Sequence, residues 1–166
     1  LGGPKVYDTL LKAFSILRKN RPAKLFIMGG GRQKERLETL AKTLQIDGDV
    51  EFAGFMSNPF PYLSNSDLYI LSSRYEGFGM ALLEALALGI PSVATDCPSG
   101  PREILQEGRF GELIPIADVN AMAEAMVRTL DGPHASHFLK QAATPYSIDN
   151  VADDYLKLLG LDHVAS

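Results

Sequence analysis

The sequence predicts an α/β fold, a Rossmann-like parallel sheet with helices on both faces. Three features of the chain point to it. Short apolar runs alternate with helical patterns from one end to the other. The runs are apolar at nearly every position rather than at every second one, as in strands buried on both faces. The helical stretches between them are long enough to serve as crossovers between parallel strands.

In residues 6–17, Val6, Leu10, Phe14 and Leu17 share one helical face. LFIMG at 25–29 is a short apolar run closed by glycine, a buried strand. Leu37, Leu40, Ala41 and Leu44 mark a second helix, and residues 49–52 and 67–71 (DLYIL) two further strands. Residues 79–88 are apolar on nearly every side and form a buried helix. A strand at 91–94 is entered through Pro91. A short helix at 99–105 takes Ser99 as its N-cap and Pro101 in its first turn. An extended piece at 112–114 leads to a helix capped by Asp118 and carrying Val119, Met122, Ala123, Met126 and Leu130. DGPHAS at 131–136 reads as a loop, and residues 148–159 as the last helix. No strand pattern comes before the first helix, although an α/β domain ordinarily supplies one. Residues 1–166 are therefore expected to be one domain of a longer protein.

Composition narrows the function. With 166 residues and 46% hydrophobic content, the chain suits a single core. A net charge of −4 argues against a nucleic-acid surface, which needs clustered Lys and Arg. No apolar stretch is long enough to span a bilayer, and the first residues lack a signal-peptide pattern. The single cysteine, Cys97, excludes an internal disulfide and a multi-cysteine metal site. It reads as a small core residue, and a cytoplasmic location fits.

In sheets of this kind ligands bind at the carboxyl ends of the strands, beside helix N-termini. Three loops hold that position. Gly29-Gly30-Gly31-Arg32 follows the first strand; its glycines allow close backbone approach, or serve only a tight turn. Ser72-Ser73-Arg74-Tyr75-Glu76-Gly77-Phe78-Gly79 enters the buried helix and exposes backbone amides to an anion or a hydroxyl. Glu84, eight positions after Glu76, lies among Leu82, Leu83, Ala85 and Leu86. A carboxylate there needs a partner, which ribose hydroxyls, a structural cation or solvent could supply. The third loop, 95–103, is turn-rich and ends on a helix. Asp153-Asp154 reads as a solvated face, and His134, His137 and His163 fall in loop or tail positions.

Together the segments KVYDTLLKAF, LFIMGGG, VEFAGF, the long block SSRYEGFGMALLEALALGIPSVATDCPSGPREIL and GELIPIADVNAMAEAM resemble the retaining GT-B glycosyltransferases of family 4 (group 1), in their C-terminal, donor-binding half. The resemblance covers nearly the whole chain, and the long block is its most specific part. It implies that Glu76, first of a Glu-x7-Glu pair, contacts hydroxyls of the donor hexose. The amides from Gly77 through Phe78 and Gly79 to Met80 lie against hexose and diphosphate. Glu84 holds the ribose, and Lys5 contacts the diphosphate. The family's diphosphate arginine, a few residues before that lysine, has no counterpart here. Gly30 and Gly31 match its loop after the second strand, and Gly54-Phe55 the region bordering the base.

The resemblance further implies a metal-independent reaction with no cofactor, the donor being a nucleotide-diphosphate sugar, with UDP-sugars favoured. The acceptor would be a saccharide or a lipid-linked molecule held by an N-terminal domain, in bacterial polysaccharide or glycoconjugate assembly. Peripheral attachment at the inner face of the membrane would belong to the full-length protein, and the isolated domain is expected to be inactive. Two alternatives compete. A non-catalytic nucleotide-binding module could keep the fold, although the intact Glu76, Glu84 and Lys5 speak against it. A nicotinamide-dependent oxidoreductase needs GxGxxG after its first strand, which Gly29-Gly30-Gly31 does not provide.

Overall fold

In the computed structural model, residues 6–159 are described. The helices are α1 (Tyr7–Asn20), α2 (Lys34–Thr43), α3 (Phe60–Leu63), α4 (Met80–Ala87), α5 (Pro101–Ile104), α6 (Val119–Asp131), α7 (Ser136–Lys140) and α8 (Ile148–Leu158). The strands are β1 (Leu25–Met28), β2 (Val50–Gly54), β3 (Tyr69–Leu71), β4 (Ser92–Thr95) and β5 (Glu112–Ile114). Every ladder is parallel, as expected of an α/β chain. The strands do not form one continuous sheet, however. β1 pairs with β2, β3–β4–β5 form a second sheet, and among the described residues no ladder joins the two.

Helices cover both faces. On one, α1, α2 and α6 bring Leu10, Phe14, Leu37 and Met126 against Ile27, Val93 and Ile114. On the other, α4 and α5 bring Leu82, Leu86 and Ile104 against Leu71 and Ala94. β4 serves both faces and is buried along its whole length. The residue alternation of a strand sends Val93 to one core and Ala94 to the other.

The amphipathic helices lie close to their expected places. Leu10, Phe14 and Leu17 are buried on α1, and Met122, Ala123 and Met126 on α6. Asp118 accepts from the Ala121 amide at 2.9 Å, the cap that its position suggested. Cys97 is buried. Asp153 and Asp154 are exposed.

Several expectations are corrected. The N-cap of α5 is Gly100, not Ser99; Ser99 and Gly100 both adopt positive φ, +64° and +86°, so the chain turns sharply before Pro101. β2 begins at Val50 and runs on to Gly54, because Asp47–Asp49 coil into a 3-10 turn. α7 starts at Ser136, the end of the stretch that reads as a loop, so His137 lies within a helix, and α3 arises in a Pro-containing stretch to which the sequence pattern assigns no element. Lys5 and His163 lie outside the described residues.

Candidate functional site

The second and third loops meet at the carboxyl ends of β3 and β4. Thr95 fastens them. Its Oγ1 accepts the Ser73 amide at 2.8 Å and donates to the Ser73 carbonyl at 2.7 Å. With Ser73 fixed, its own Oγ donates to Glu76 Oε1 at 2.6 Å. Glu76 is thus held half-buried beside the sheet rather than released to solvent. Its negative charge reaches two phenols. Burial, reinforced by Glu76, pushes the hydroxyls of Tyr7 and Tyr69 above the ordinary tyrosine range. Glu84 acts on Tyr69 in the same sense.

Gly77 is exposed, Phe78 half-buried and Gly79 buried; Gly79 caps α4 with φ +102°. Only glycine takes that conformation without strain. The turn is wedged from behind by Gly100, where an added Cβ would sit 1.6 Å from the Phe78 carbonyl oxygen. Phe78 also packs edge-on against Tyr146, ring centres 5.2 Å apart, and the Tyr146 hydroxyl donates to Glu103 at 3.2 Å. Met80, first residue of α4, is exposed. Gly100 and Tyr146 support the loop, and the sequence signal for Gly100 was its place before Pro101.

A cavity of about 1300 Å³ opens beside this loop. At its carboxyl end it brings together Glu84, Gly29, Phe55, Met56, Tyr7 and Ser72. Glu84 is half-buried on α4, so its carboxylate borders the cavity rather than sitting wholly inside the core. Gly29 and Gly54 bring the ends of β1 and β2 together, the Gly29 amide donating to the Gly54 carbonyl at 2.7 Å, both at positive φ. Gly30 and Gly31 are exposed at the same sheet end, and Phe55 is 87% exposed at its rim. Glu76 and the Gly77–Met80 turn stand beside the cavity without lining it.

An Asp-x-Asp pair does occur, at Asp47-Gly48-Asp49. It lies at the opposite, amino end of β2. Asp49 is already engaged there by Arg18 at 2.6 Å and Lys24 at 2.9 Å. On the third loop, Arg102 is taken up by Asp96 and Glu107.

The arrangement is that of a helix-covered parallel α/β domain with a polar-rimmed cavity at its strand ends, the usual seat of nucleotide-type ligands. The family model for glycosyl transferases group 1 matches residues 1–145, and the chain belongs to that family. It is 30% identical over 159 residues, 93% of its length, to the N-acetylgalactosamine-N,N'-diacetylbacillosaminyl-diphospho-undecaprenol 4-alpha-N-acetylgalactosaminyltransferase of Campylobacter jejuni; that match spans 43% of the relative. Over 152 residues, 89% of this chain, it is 31% identical to the lipopolysaccharide 1,6-galactosyltransferase of Escherichia coli, spanning 41% of it. Among solved structures, the lipopolysaccharide outer core galactosyltransferase WaaB, in apo form, superposes with a TM-score of 0.80 at 25% identity, over 93% of this chain and 46% of that one. The chain spans less than half the length of these relatives. Among the described residues no helix is long and apolar enough to cross a membrane.

Proposed function

We propose that this chain is the donor-binding part of a glycosyltransferase, taking a nucleotide-diphosphate sugar for retaining transfer of a hexosyl or N-acetylhexosaminyl group. The observation that carries the reading is the convergence of Glu84, Gly29, Phe55 and Ser72 on one cavity at the strand ends, with Glu76 fastened beside it. Glu84 offers a carboxylate to ribose hydroxyls, and Glu76 offers one to the hexose. The amides from Gly77 to Met80, at the start of α4, face the same end of the sheet and suit an anionic diphosphate. In this reading Lys5 completes that anion site.

Transfer breaks the bond between the anomeric carbon and the diphosphate oxygen, forms one to an acceptor hydroxyl, and leaves negative charge on the departing diphosphate. Amides and a lysine at fixed positions stabilise that charge, so the reaction proceeds without a bound metal ion. UDP-sugars are the favoured donors, supported by the likeness of the DCPSGPREIL segment to bacterial polysaccharide enzymes. The names of the curated relatives support a saccharide or lipid-linked acceptor. An N-terminal domain of the longer protein would hold that acceptor, at the cytoplasmic face of the membrane. Calorimetric titration with UDP, GDP, ADP and NAD tests this: saturable binding of one nucleoside diphosphate supports it, and binding of NAD alone overturns it.

A further inference from the structure

The turn ahead of α4 is gripped unevenly. Its exit is closed. An added Cβ at Gly79 would lie 3.5 Å from Ile104 Cδ1, and one at Gly100 would run into the Phe78 carbonyl. Gly100 caps α5 and Ile104 ends it, so α5 backs the exit from the turn. Gly79 is held further by its carbonyl, which accepts from the Leu82 and Leu83 amides at 2.9 and 3.2 Å. The entry is open: an added Cβ at Gly77 would meet nothing within 4 Å. The Gly77–Phe78 peptide lies between the two, with a glycine's backbone freedom on its near side. What remains to orient that peptide is the Phe78 ring. Tyr146 holds the ring, centroids 5.2 Å apart and planes at 70°, the edge-on arrangement that aromatic pairs favour.

Tyr146 is itself fixed at both ends. It closes the 3-10 stretch Gln141–Tyr146, whose Ala142 is buried with Leu139 against Leu82 and Leu86 of α4. Pro145 fixes the backbone one residue earlier. The Thr144 carbonyl accepts from the Ser147 amide at 3.2 Å and from Asn150 Nδ2 at 2.5 Å, which ties the stretch to the first turn of α8. At the tip of the ring, the hydroxyl donates to Glu103 Oε1 at 3.2 Å, and Glu103 belongs to α5. Burial and the Glu103 charge raise this hydroxyl above the ordinary tyrosine range, so it stays a donor through neutral pH. α5 thus reaches Phe78 twice, directly at Gly100 and by way of Tyr146.

We infer that Tyr146 is a positioning residue for the turn at the start of α4: acting through the Phe78 ring, it sets the direction of the Gly77–Phe78 amide. The use of that amide on a donor rests on the function proposed above; the restraint on the turn does not. A residue that only filled the core would affect every ligand alike. One that aims an amide at diphosphate and hexose affects those groups and spares the nucleoside.

The test has two arms, both on the full-length protein. In the first, glycine labelled at its carbonyl carbon and phenylalanine labelled at its nitrogen together select Gly-Phe peptides in a magnetic resonance spectrum. Residues 1–166 contain Gly77–Phe78 and Gly54–Phe55, and the second is the internal reference. Without ligand, Tyr146→Leu is expected to broaden or split the Gly77–Phe78 signal and to leave Gly54–Phe55 as in the parent. Phe138→Leu, in the same packed segment, is the control for lost stability and should leave both signals in place. An unmoved Gly77–Phe78 signal in Tyr146→Leu, or the same change in Phe138→Leu, overturns the inference.

In the second arm, Tyr146→Leu is expected to weaken UDP and a UDP-sugar by roughly 3- to 10-fold while uridine binds as in the parent. Equal weakening of all three, or of none, overturns the inference. Tyr146→Phe and Glu103→Ala each remove the hydroxyl's bond, so each should show a smaller loss of the same kind, and the double variant no more than either. Glu103→Gln, which still accepts from the phenol, should return to the parent. Additive losses refute the link between Tyr146 and Glu103. A parent that binds no nucleotide overturns the donor reading instead, and the first arm, recorded without ligand, still decides the inference.

Discussion

Ser73 Oγ donates to Glu76 Oε1 at 2.6 Å, and the Ser73 backbone is itself fastened to Thr95 on the neighbouring strand. A loop carboxylate is thereby referenced to the sheet through two hydrogen-bonded steps. A side chain that must meet one sugar hydroxyl needs such fixing, since a displacement of about 1 Å can cost a hundredfold in rate.

Replacing Ser73 with Ala removes one hydrogen bond to a charged group, worth about 1.5–3 kcal/mol. If the full-length protein transfers sugar as proposed, its turnover is expected to fall roughly 10- to 100-fold with nucleoside diphosphate affinity unchanged, and Glu76→Ala to fall at least as far. Parallel measurement of kcat and of UDP binding checks this. An equal loss in both for Ser73→Ala would mean that the loop has collapsed.

Thr95→Val keeps the volume and deletes the hydroxyl. The Ser73 amide and carbonyl then lose their partner at a fully buried position. A loss of about 1–3 kcal/mol is expected, seen as a lower urea midpoint with the slope unchanged.

Gly100→Ala places a methyl group against the Phe78 carbonyl at a backbone φ of +86°. More than about 2 kcal/mol of destabilisation is expected, because backbone rather than a flexible side chain must move. Gly77→Ala meets nothing within 4 Å and serves as the control, its stability expected to stay within about 0.5 kcal/mol of the parent. Thermal melts of both variants make the comparison.

Glu84→Gln should weaken uridine and UDP alike, by roughly tenfold, since both carry the ribose and the loss is on the order of 1.4 kcal/mol. Titration calorimetry decides: an unchanged affinity removes Glu84 from the ribose.

Acid should loosen the packing of α1 on α2. Arg36 donates to both oxygens of Asp8, at 2.5 and 2.6 Å, and holds that carboxyl below its ordinary value of about 3.9. Lys24 and Arg18 do the same for Asp49. A carboxyl lowered in the folded state stabilises above its unfolded pKa and loses that contribution as pH falls through the folded one. Tm is thus expected to decline below about pH 4, and Asp8→Asn to flatten part of the decline. Both pairs are partly exposed, so the effect is modest and shrinks with added salt. Melts from pH 6 to pH 2 at two ionic strengths measure it.

Where burial has a period, the sequence declares it. α1 and α6 show their apolar faces at helical spacing, and Asp118 announces its cap because the side chain acts on a nearby amide. Glu76 and Glu84 stand out as carboxylates beside glycines and leucines. Less visible are elements whose signal is tertiary. α3 and α7 are too short for a period, and Pro59, Pro61 and Pro133 mark their surroundings as turns. Ser99 has the chemistry of a cap, yet the close approach of Phe78 forces the turn onto Gly100. Nothing local tells Thr95 from any strand-end threonine, because its partners lie 22 residues away. The split between the two sheets is equally silent, since each strand reads the same whether it has one neighbour or two.

β4 has one further consequence, for cooperativity. Val93 packs with α6 while Ala94, the next residue, packs with α4, and Thr95 fastens the strand to the loop of Glu76. Loss of either helical layer uncovers one face of β4 and so weakens the strand on which the other layer packs. The two faces should therefore melt as one unit, with β4 amides among the slowest to exchange. A lesion in the layer remote from the Glu76 loop would then reach that loop as a shorter lifetime of the whole fold, not as a local change of shape.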